Sequence, residues 1–420
     1  MLSFDISPIS LMRTLTMALD LAVDGVGMHQ HRTAIICRYI AEEIGMDVEE
    51  KQNLLSAALM HDIGAASFKD ERLMLSNQNL DEAYGKDMFR HAEDGYSLLN
   101  NMACFSGTSE AVRYHHDRWS GGNPSGLSGA TIPLHARIIH LADRIEIAID
   151  KNRHILNNST DIIATVNKYR KKNFDPDIVD IFMECSLKEC FWLDLANPEY
   201  AYSMYSKVYW GRRPFASLEV IQIAELFATI IDRMSRYTAT HSRSVTGVAV
   251  LLAKHVGFCE EELYLMRVAG LLHDLGKLSV PNAILEKPGK LDKEELYLVR
   301  QHTYYTYRIL QNIEHMETVA EWAACHHETL DGMGYPFRIA EDSLSLGARI
   351  MAVADIFVAL AENRPYREQL GKEALSRIML GMVSRHKISG AIVDLLLQIY
   401  PEAHAIVENN GARMPDFIGR

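Results

Sequence analysis

The second half of the chain carries histidine and aspartate residues in an order that could hold metal ions. Neutral imidazole and carboxylate are ligands that first-row divalent metals accept. Seven ligands exceed what one tetrahedral ion needs, so the pattern predicts two ions that share a carboxylate. Such a centre activates a bridging water and stabilises the pentacovalent phosphorus of an in-line displacement. The candidate ligands are His241, His273, Asp274, His302, His326, His327 and Asp355.

Two neighbouring positions are the candidates for catalysis. Asp274, directly after His273, is the candidate bridging carboxylate. Lys277 follows His273 by four residues, so one helical turn would place its ammonium over the same metal face. A lysine at that place can steady the charge of a phosphate or donate a proton to a leaving alkoxide.

Each motif also has an ordinary structural interpretation. A single His-Asp pair, or a histidine on an apolar helix, is more often a hydrogen-bonded core residue than a ligand. Cys325 is typical of a small buried hydrophobe, Lys277 of a helix-end cation, and residues 331–336 (DGMGYP) of a turn. The joint order of the motifs, and its repetition in the chain, favour the metal centre.

The chain repeats one unit. Residues 59–65 (LMHDIGA) precede residues 271–277 (LLHDLGK) by 212 positions. The other related pairs are Asp20 and Asp232, His29 and His241, Gly45 and Gly257, Asp143 and Asp355 and, at an offset of 211, His91 and His302, and the doublets 115–116 and 326–327. This order predicts a tandem duplication with halves of 1–210 and 211–420, joined by the segment 209–215 (YWGRRPF).

Both halves are predicted to be helical. Residues 217–237 and 242–258 place apolar side chains at spacings of three and four, as amphipathic helices do, and Gly257 stands where a helix C-cap would lie. Alternating patterns long enough for strands are scarce. The expected fold class is therefore all-α, as two tandem helical domains.

Composition excludes several classes of protein. The chain has 420 residues, 48% hydrophobic and 23% charged, which is typical of globular domains. A net charge of −12 argues against binding a DNA or RNA polymer. No apolar run is long enough for a membrane span, and the N-terminus has no basic region typical of a signal peptide. Six cysteines without a CxxC pair indicate reduced thiols and a cytoplasmic location.

Four motifs in the second half resemble the HD-GYP branch of the HD phosphohydrolase superfamily. They are residues 273–277 (HDLGK), 326–336 (HHETLDGMGYP), 354–360 (ADIFVAL) and 364–367 (RPYR). The resemblance implies an all-helical domain with two divalent ions, often iron or manganese. It implies hydrolysis of a cyclic dinucleotide second messenger to the linear dinucleotide. A degenerate copy before an intact one is similar to bacterial phosphodiesterases of 3′,3′-cyclic GMP–AMP, with cyclic di-GMP as the next substrate.

The same resemblance implies roles for individual residues. The seven candidates named above would bind metal, Lys277 would contact the scissile phosphate, and Tyr335 and Arg364 would bind substrate. Two positions depart from the family. Tyr237 replaces a glutamate with which some members hold a third metal, and Val358 replaces a residue that is commonly charged.

The first half departs further. Its own ligand set is complete and consists of His29, His61, Asp62, His91, His115, His116 and Asp143. Ala65 stands where the second half has Lys277, the turn 120–124 (SGGNP) lacks the tyrosine, and residues 151–155 (KNRHI) replace the RPYR motif. We therefore expect domain 1–210 to be a silent copy that could hold metal and that regulates, dimerises or stabilises the catalytic domain 211–420.

Two other functions compete with this interpretation. An HD nucleotidohydrolase would act on mononucleotides, but its members generally lack the block at 326–336. A non-hydrolytic cyclic-dinucleotide receptor or scaffold would not need a water-activating centre. The sequence leaves open which dinucleotide is preferred, which metal is bound, whether the first domain binds metal or ligand, whether the chain forms a homodimer, and whether cleavage continues to mononucleotides.

Overall fold

The computed structural model divides the chain into two compact units. One consists of residues 7–213, and the other of residues 214–420 together with the first six residues. The described residues are 3–4, 12–14, 16–18, 28–65, 86–100, 102, 105–201, 215–233, 240–287, 289–362 and 369–412.

A short strand pair accounts for the place of the first six residues. Strand β1 (Ser3–Phe4) pairs antiparallel with β2 (Phe215–Ala216), within the second unit. The division into 1–210 and 211–420 therefore differs from the structure at the N-terminus and by three residues at the junction. Two-residue strands leave no periodic pattern in a sequence, so this pairing could not be predicted.

The described part of the first unit is built from helices. Helix α1 packs against α2 and α5, and α3 packs against α4. Their bounds are α1 His29–Ile44, α2 Val48–Met60, α3 Lys86–Leu99, α4 Ser109–Tyr114, α5 Leu134–Ile147, α6 Ile155–Lys168, α7 Pro176–Ser186 and α8 Glu189–Ala196.

The second unit repeats this arrangement. Helix α10 packs against α11 and α14, and α12 packs against α13. The bounds are α9 Ser217–Arg233, α10 His241–Val256, α11 Glu260–Leu272, α12 Lys293–Leu310, α13 Glu317–Ala324, α14 Leu346–Ala361, α15 Lys372–Val383, α16 Gly390–Gln398 and α17 Tyr400–Ala412, with a single turn at Asn282–Leu285.

The prediction of an all-α fold in two copies is confirmed for the described residues. The predicted helix 242–258 corresponds to α10, and Gly257 closes it with a φ of 99° while its N–H bonds to the carbonyls of Ala253 and Lys254. The predicted helix 217–237 corresponds to α9, which ends at Arg233, and its remaining residues lie outside the described part.

The described helices differ from membrane-spanning helices in length and apolar character. No single one is long and apolar enough to cross a bilayer. Residues 390–398 and 400–410 meet the length and composition requirement only as a pair, and they are bent by 77°. Ile392, Val393 and Leu396 of this pair are buried inside the protein.

Candidate metal centre

The structure brings all seven expected ligands of the second unit together. They come from five places in the chain and are almost completely buried, except for His327, which is partly exposed. His241 begins α10, His273 and Asp274 follow α11, His302 lies in α12, His326 and His327 lie in the 3₁₀ turn after α13, and Asp355 lies in α14.

Asp274 lies between two groups of histidines. Its Oδ2 is 3.2 Å from Nε2 of His273 and 4.0 Å from Nε2 of His241. Its Oδ1 is 3.5 Å from Nε2 of His302. The Nε2 atom of His241 is also 3.2 Å from Oδ1 of Asp355. One carboxylate oxygen therefore faces each of two ligand groups, the arrangement that a bridging carboxylate requires.

The two ligand groups each have a compact donor set. The ligand atoms of His241, His273 and Asp355 lie within 4.8 Å of one another. The same holds for the histidines of the second group, His302, His326 and His327. Imidazole and carboxylate donors at this density suit divalent ions of the first transition row.

Backbone carbonyls orient three of these imidazoles. Nδ1 of His273 donates to the carbonyl of Gly270 at 2.8 Å. Nδ1 of His302 donates to the carbonyl of Val299, and Nδ1 of His326 to that of Ala323, each at 2.6 Å. A carbonyl oxygen only accepts, so each Nδ1 carries the proton. Each Nε2 therefore keeps a lone pair directed into the centre, as metal ligation requires.

The buried donors themselves call for a cation. Nε2 of His273 makes no hydrogen bond within the described residues, and neither carboxylate oxygen of Asp62 in the first unit makes one. Buried lone pairs that face one another without a proton between them are costly. Divalent ions bound in each centre would satisfy the buried lone pairs of that centre.

A glycine permits the close packing behind the centre. A Cβ on Gly276 would lie 1.9 Å from the carbonyl oxygen of His302, which leaves no space for any other residue. Thr306 reinforces this contact, because its Oγ1 accepts from the N–H of Gly276 at 2.9 Å and donates to the carbonyl of His273 at 3.1 Å. The glycine of the HDLGK motif thus holds α12 against the His-Asp turn.

Lys277 reaches the centre along a different path from the expected one. Helix α11 ends at Leu272, and the lysine lies in the 3₁₀ turn Leu275–Ser279 rather than in a further α-helical turn. Its Nζ nevertheless lies 2.5 Å from Oδ2 of Asp274, and the side chain is partly exposed. The ammonium therefore lies on the partly exposed side of the Asp274 carboxylate.

Opposite charges control protonation in this site. Burial alone would raise the pKa of Asp274, but the charges of His273 and Lys277 hold that pKa well below its ordinary value. Burial lowers the pKa of His302 to about 3. Burial would also lower the pKa of His241, but hydrogen bonds to Asp355 and Glu362 raise it to about 10.

Tyr335 lies beside the candidate metal ligands. Arg364 and Tyr237 fall outside the described residues. The ring centroid of Tyr335 is 4.9 Å from that of His327. The guanidinium of Arg300 lies 4.4 Å over the Tyr335 ring. Burial raises the pKa of the Tyr335 hydroxyl, so it is a neutral hydrogen-bond donor at neutral pH.

Sequence reasoning missed the residue that shapes the GYP turn. The buried carboxylate of Glu328 accepts three backbone N–H groups, from Phe337 at 2.7 Å, Arg338 at 3.0 Å and Ile339 at 3.1 Å. It thereby folds the loop back over His327. The available signal was an acidic residue directly after the His doublet and before a glycine-rich turn.

Asp232, the counterpart of Asp20 in the repeat, also lies at the site, a role that its spacing does not indicate. Its Oδ1 accepts from the Ser242 hydroxyl at 2.7 Å, next to His241. Burial raises the pKa of Asp232 to about 7. Asp20 lies outside the described residues.

The first unit assembles its own seven candidate ligands, all buried. Oδ2 of Asp62 lies 3.3 Å from Nε2 of His29 and 3.2 Å from Nε2 of His61, while Oδ1 lies 3.3 Å from Nε2 of His91. One donor group consists of His29, His61 and Asp143. The other consists of Asp62, His91, His115 and His116. Asp62 therefore lies between its two donor groups as Asp274 does in the second unit.

Charge compensation differs between the two centres. Ala65, at the place of Lys277, is buried and brings no ammonium to Asp62. Instead the buried guanidinium of Arg144 bonds to Oδ2 of Asp143, through Nη2 at 2.6 Å and Nε at 2.9 Å. In the first unit the cationic side chain therefore contacts Asp143, whereas in the second unit it contacts Asp274, the candidate bridging carboxylate.

The chain belongs to the HD domain family. The HD domain model matches residues 13–178 and again residues 225–389, which confirms the resemblance and the two copies of the HD fold. The matches together span most of the described part of both units.

Proteins of known activity are similar to this chain over most of its length. The chain is 28% identical over 390 residues to the 3′3′-cGAMP-specific phosphodiesterase 1 of Vibrio cholerae, covering 90% of this chain and 89% of that protein. It is 32% identical over 287 residues to the 3′3′-cGAMP-specific phosphodiesterase 3 of the same organism, which covers 68% of this chain and 61% of that protein. A crystal structure of a cyclic GMP-AMP specific phosphodiesterase of V. cholerae superimposes with a TM-score of 0.64, at 25% identity, over 97% of this chain and 98% of that one.

Proposed function

We propose that this chain is a metal-dependent phosphodiesterase that hydrolyses a 3′,3′-cyclic dinucleotide to the linear dinucleotide. Cyclic GMP–AMP is the favoured substrate and cyclic di-GMP the next. The observation that carries the proposal is Asp274, whose two oxygens face separate ligand groups while Lys277 lies at its solvent side. Similarity over 90% of the chain to a cGAMP-specific phosphodiesterase supports the choice of substrate.

Different residues of the second unit bind the metal ions, the scissile phosphate and the rest of the substrate in this proposal. Two divalent ions, iron or manganese, would be held by the seven ligands and would supply an acidified water and neutralise phosphate charge. In this proposal Lys277 donates a hydrogen bond to the scissile phosphate and protonates the leaving oxygen. Tyr335 donates from its neutral hydroxyl, and Arg364 binds the substrate from the RPYR segment.

The first unit acts as the silent copy in this proposal. Its ligand set also fits two divalent ions, but Ala65 supplies no cation to a phosphate. The turn 120–124 has no tyrosine, and Asn123 holds that turn closed with hydrogen bonds to Arg118 and Leu127. We expect this unit to regulate, dimerise or stabilise the catalytic one. The cytoplasmic location also stays a prediction.

A product assay tests the proposal. Metal-loaded protein is incubated with a panel of cyclic dinucleotides, and linear products are separated by chromatography. We expect the wild type to convert cyclic GMP–AMP to a linear GMP–AMP dinucleotide and Asp274→Ala to form none, while Asp62→Ala retains most of the activity. Equal losses in the two variants would contradict the division of labour. No product from any dinucleotide at full metal loading would favour a receptor instead.

A further inference from the structure

Glu362 contacts the first histidine of the centre. It follows the last residue of α14, and its Oε2 lies 3.1 Å from Nδ1 of His241. The other carboxylate oxygen of Glu362, Oε1, is buried and makes no hydrogen bond within the described residues. The contact with His241 is therefore the hydrogen bond that orients this side chain. The imidazole of His241 is thus held between Glu362 on Nδ1 and Asp355 on Nε2.

The first unit has the same contact at a different position. Oε2 of Glu146 hydrogen-bonds to Nδ1 of His29, the counterpart of His241. Glu146 follows the ligand Asp143 by three residues, whereas Glu362 follows Asp355 by seven. The true counterpart of Glu146 in the repeat is Val358.

Helix geometry explains how both positions serve one purpose. Positions three and seven after a given residue lie on the same face of a helix, one turn apart. Val358 is completely buried and carries no charge, so it can do neither what Glu146 does nor what a polar substrate contact would need. Conversely Asp150, the counterpart of Glu362, accepts a local N–H from Asn152. The carboxylate has therefore changed its position along the chain while its imidazole partner has stayed the same.

We propose that Glu362 is a positioning residue for the metal centre. By accepting the Nδ1 proton of His241, it fixes Nε2 as the atom that faces the ion and makes that nitrogen more basic. The carboxylate that the chain lacks at Val358 is thus replaced by one a turn further on. The inference rests on the metal centre of the proposed function.

The isosteric variant Glu362→Gln tests the proposal in the full-length chain. It is made in an Asp62→Ala background, so that bound metal reports on the second unit, and manganese affinity is measured by chelator competition with elemental analysis. We expect affinity to fall about 10- to 100-fold. Turnover of the dinucleotide at limiting manganese falls with it, with KM unchanged, and excess manganese restores turnover. Glu373→Gln, an exposed carboxylate on α15, is the matched control.

A relocation variant gives an independent result. Glu362→Ala should lose manganese affinity, and Val358→Glu in the same chain should recover it by recreating the spacing of Asp143 and Glu146. A folded double variant that binds as weakly as Glu362→Ala would overturn the equivalence of the two positions.

Two results would overturn the proposal as a whole. One is wild-type manganese affinity in Glu362→Gln. The other is a loss of turnover with full metal content that excess manganese does not restore. If the wild type cleaves no dinucleotide, the phosphodiesterase assignment fails, but the manganese measurements still decide the role of Glu362.

Discussion

Lys277 and Ala65 are the residues at which the two otherwise similar centres differ most in chemistry. Both stand four positions after the histidine of an HD pair, yet only the lysine brings a positive charge to the bridging carboxylate. Among the differences between the two units, this one alters the charge beside the central carboxylate, Asp274 or Asp62, which is where we propose that the phosphate binds. This contrast can be tested without altering any metal ligand.

Lys277→Ala should lower kcat by about 100- to 1,000-fold, because the stabilisation of transition-state charge is lost. The metal content should not fall, since the lysine competes with an ion for Oδ2 of Asp274. Steady-state kinetics and elemental analysis on one preparation check both statements. An unchanged kcat would show that another group supplies the charge.

His140 predicts a pH-dependent stability of the first unit. Burial lowers its pKa to about 4, while its Nδ1 donates to the carbonyl of His115 at 2.8 Å. The unfolded chain binds a proton near pH 6.5 and the folded chain does not. Stability should therefore fall as the pH drops from about 6.5 to 4, by roughly 3 kcal/mol for this group.

His140→Gln keeps an N–H donor but has no group that titrates in this range. Urea unfolding of the metal-free variant at pH 7 and pH 4.5 should show a smaller loss of unfolding free energy than the wild type. Identical losses in both proteins would mean that other groups account for the acid sensitivity.

Close packing of a turn on a helix controls the geometry of each centre at the level of elements. The His-Asp turn touches the backbone of α12 in the second unit and of α3 in the first, at Gly276 and Gly64 respectively. A Cβ would lie 1.9 Å from a carbonyl oxygen at Gly276 and 2.0 Å from one at Gly64. Neither carbonyl can move without its histidine ligand, because the oxygens belong to His302 and His91.

Gly276→Ala should therefore destabilise the second unit by about 3 kcal/mol or more and displace His302 from the centre. Thermal unfolding and manganese content measure the two effects. Gly371→Ala is the control, because a Cβ there meets nothing within 4 Å. A stable Gly276→Ala protein with full metal content would contradict the packing argument.

The whole molecule contains two complete ligand sets of unequal accessibility. The seven ligands of the first unit are all buried, whereas His327 of the second unit is partly exposed and Lys277 sits on its bridging carboxylate. A buried centre without a competing ammonium should release metal more slowly. If the first unit had simply lost its function, we would expect it to bind metal more weakly than the second unit, which is the opposite result.

A chelator should consequently remove metal from the second unit first. Asp274→Ala, with only the first centre intact, should retain its metal under chelator concentrations that strip Asp62→Ala. Elemental analysis after dialysis against graded chelator gives the order directly. Earlier loss from the Asp274→Ala protein would contradict the effect of burial.

The sequence by itself determined the helical class and the repeat, and it predicted which histidines and aspartates lie together as candidate ligands. These follow from local signals: apolar periodicity, the order of His and Asp motifs, and the substitution of Ala65 for Lys277. The HD domain match confirms the repeat of the HD fold. The residue types and their order predicted a two-metal centre that acts on a phosphate, and the family resemblance supplied the cyclic dinucleotide as the substrate class.

Tertiary structure decided what surrounds those ligands. The contact of Glu362 with His241 joins residues 121 positions apart, and the three N–H groups on Glu328 come from the far side of a turn. The pairing of Ser3 with Ala216 likewise moves the N-terminus into the second unit. Such partners leave no periodic trace in a sequence, because a side chain hydrogen-bonds to whatever the fold brings near it, regardless of its position along the chain.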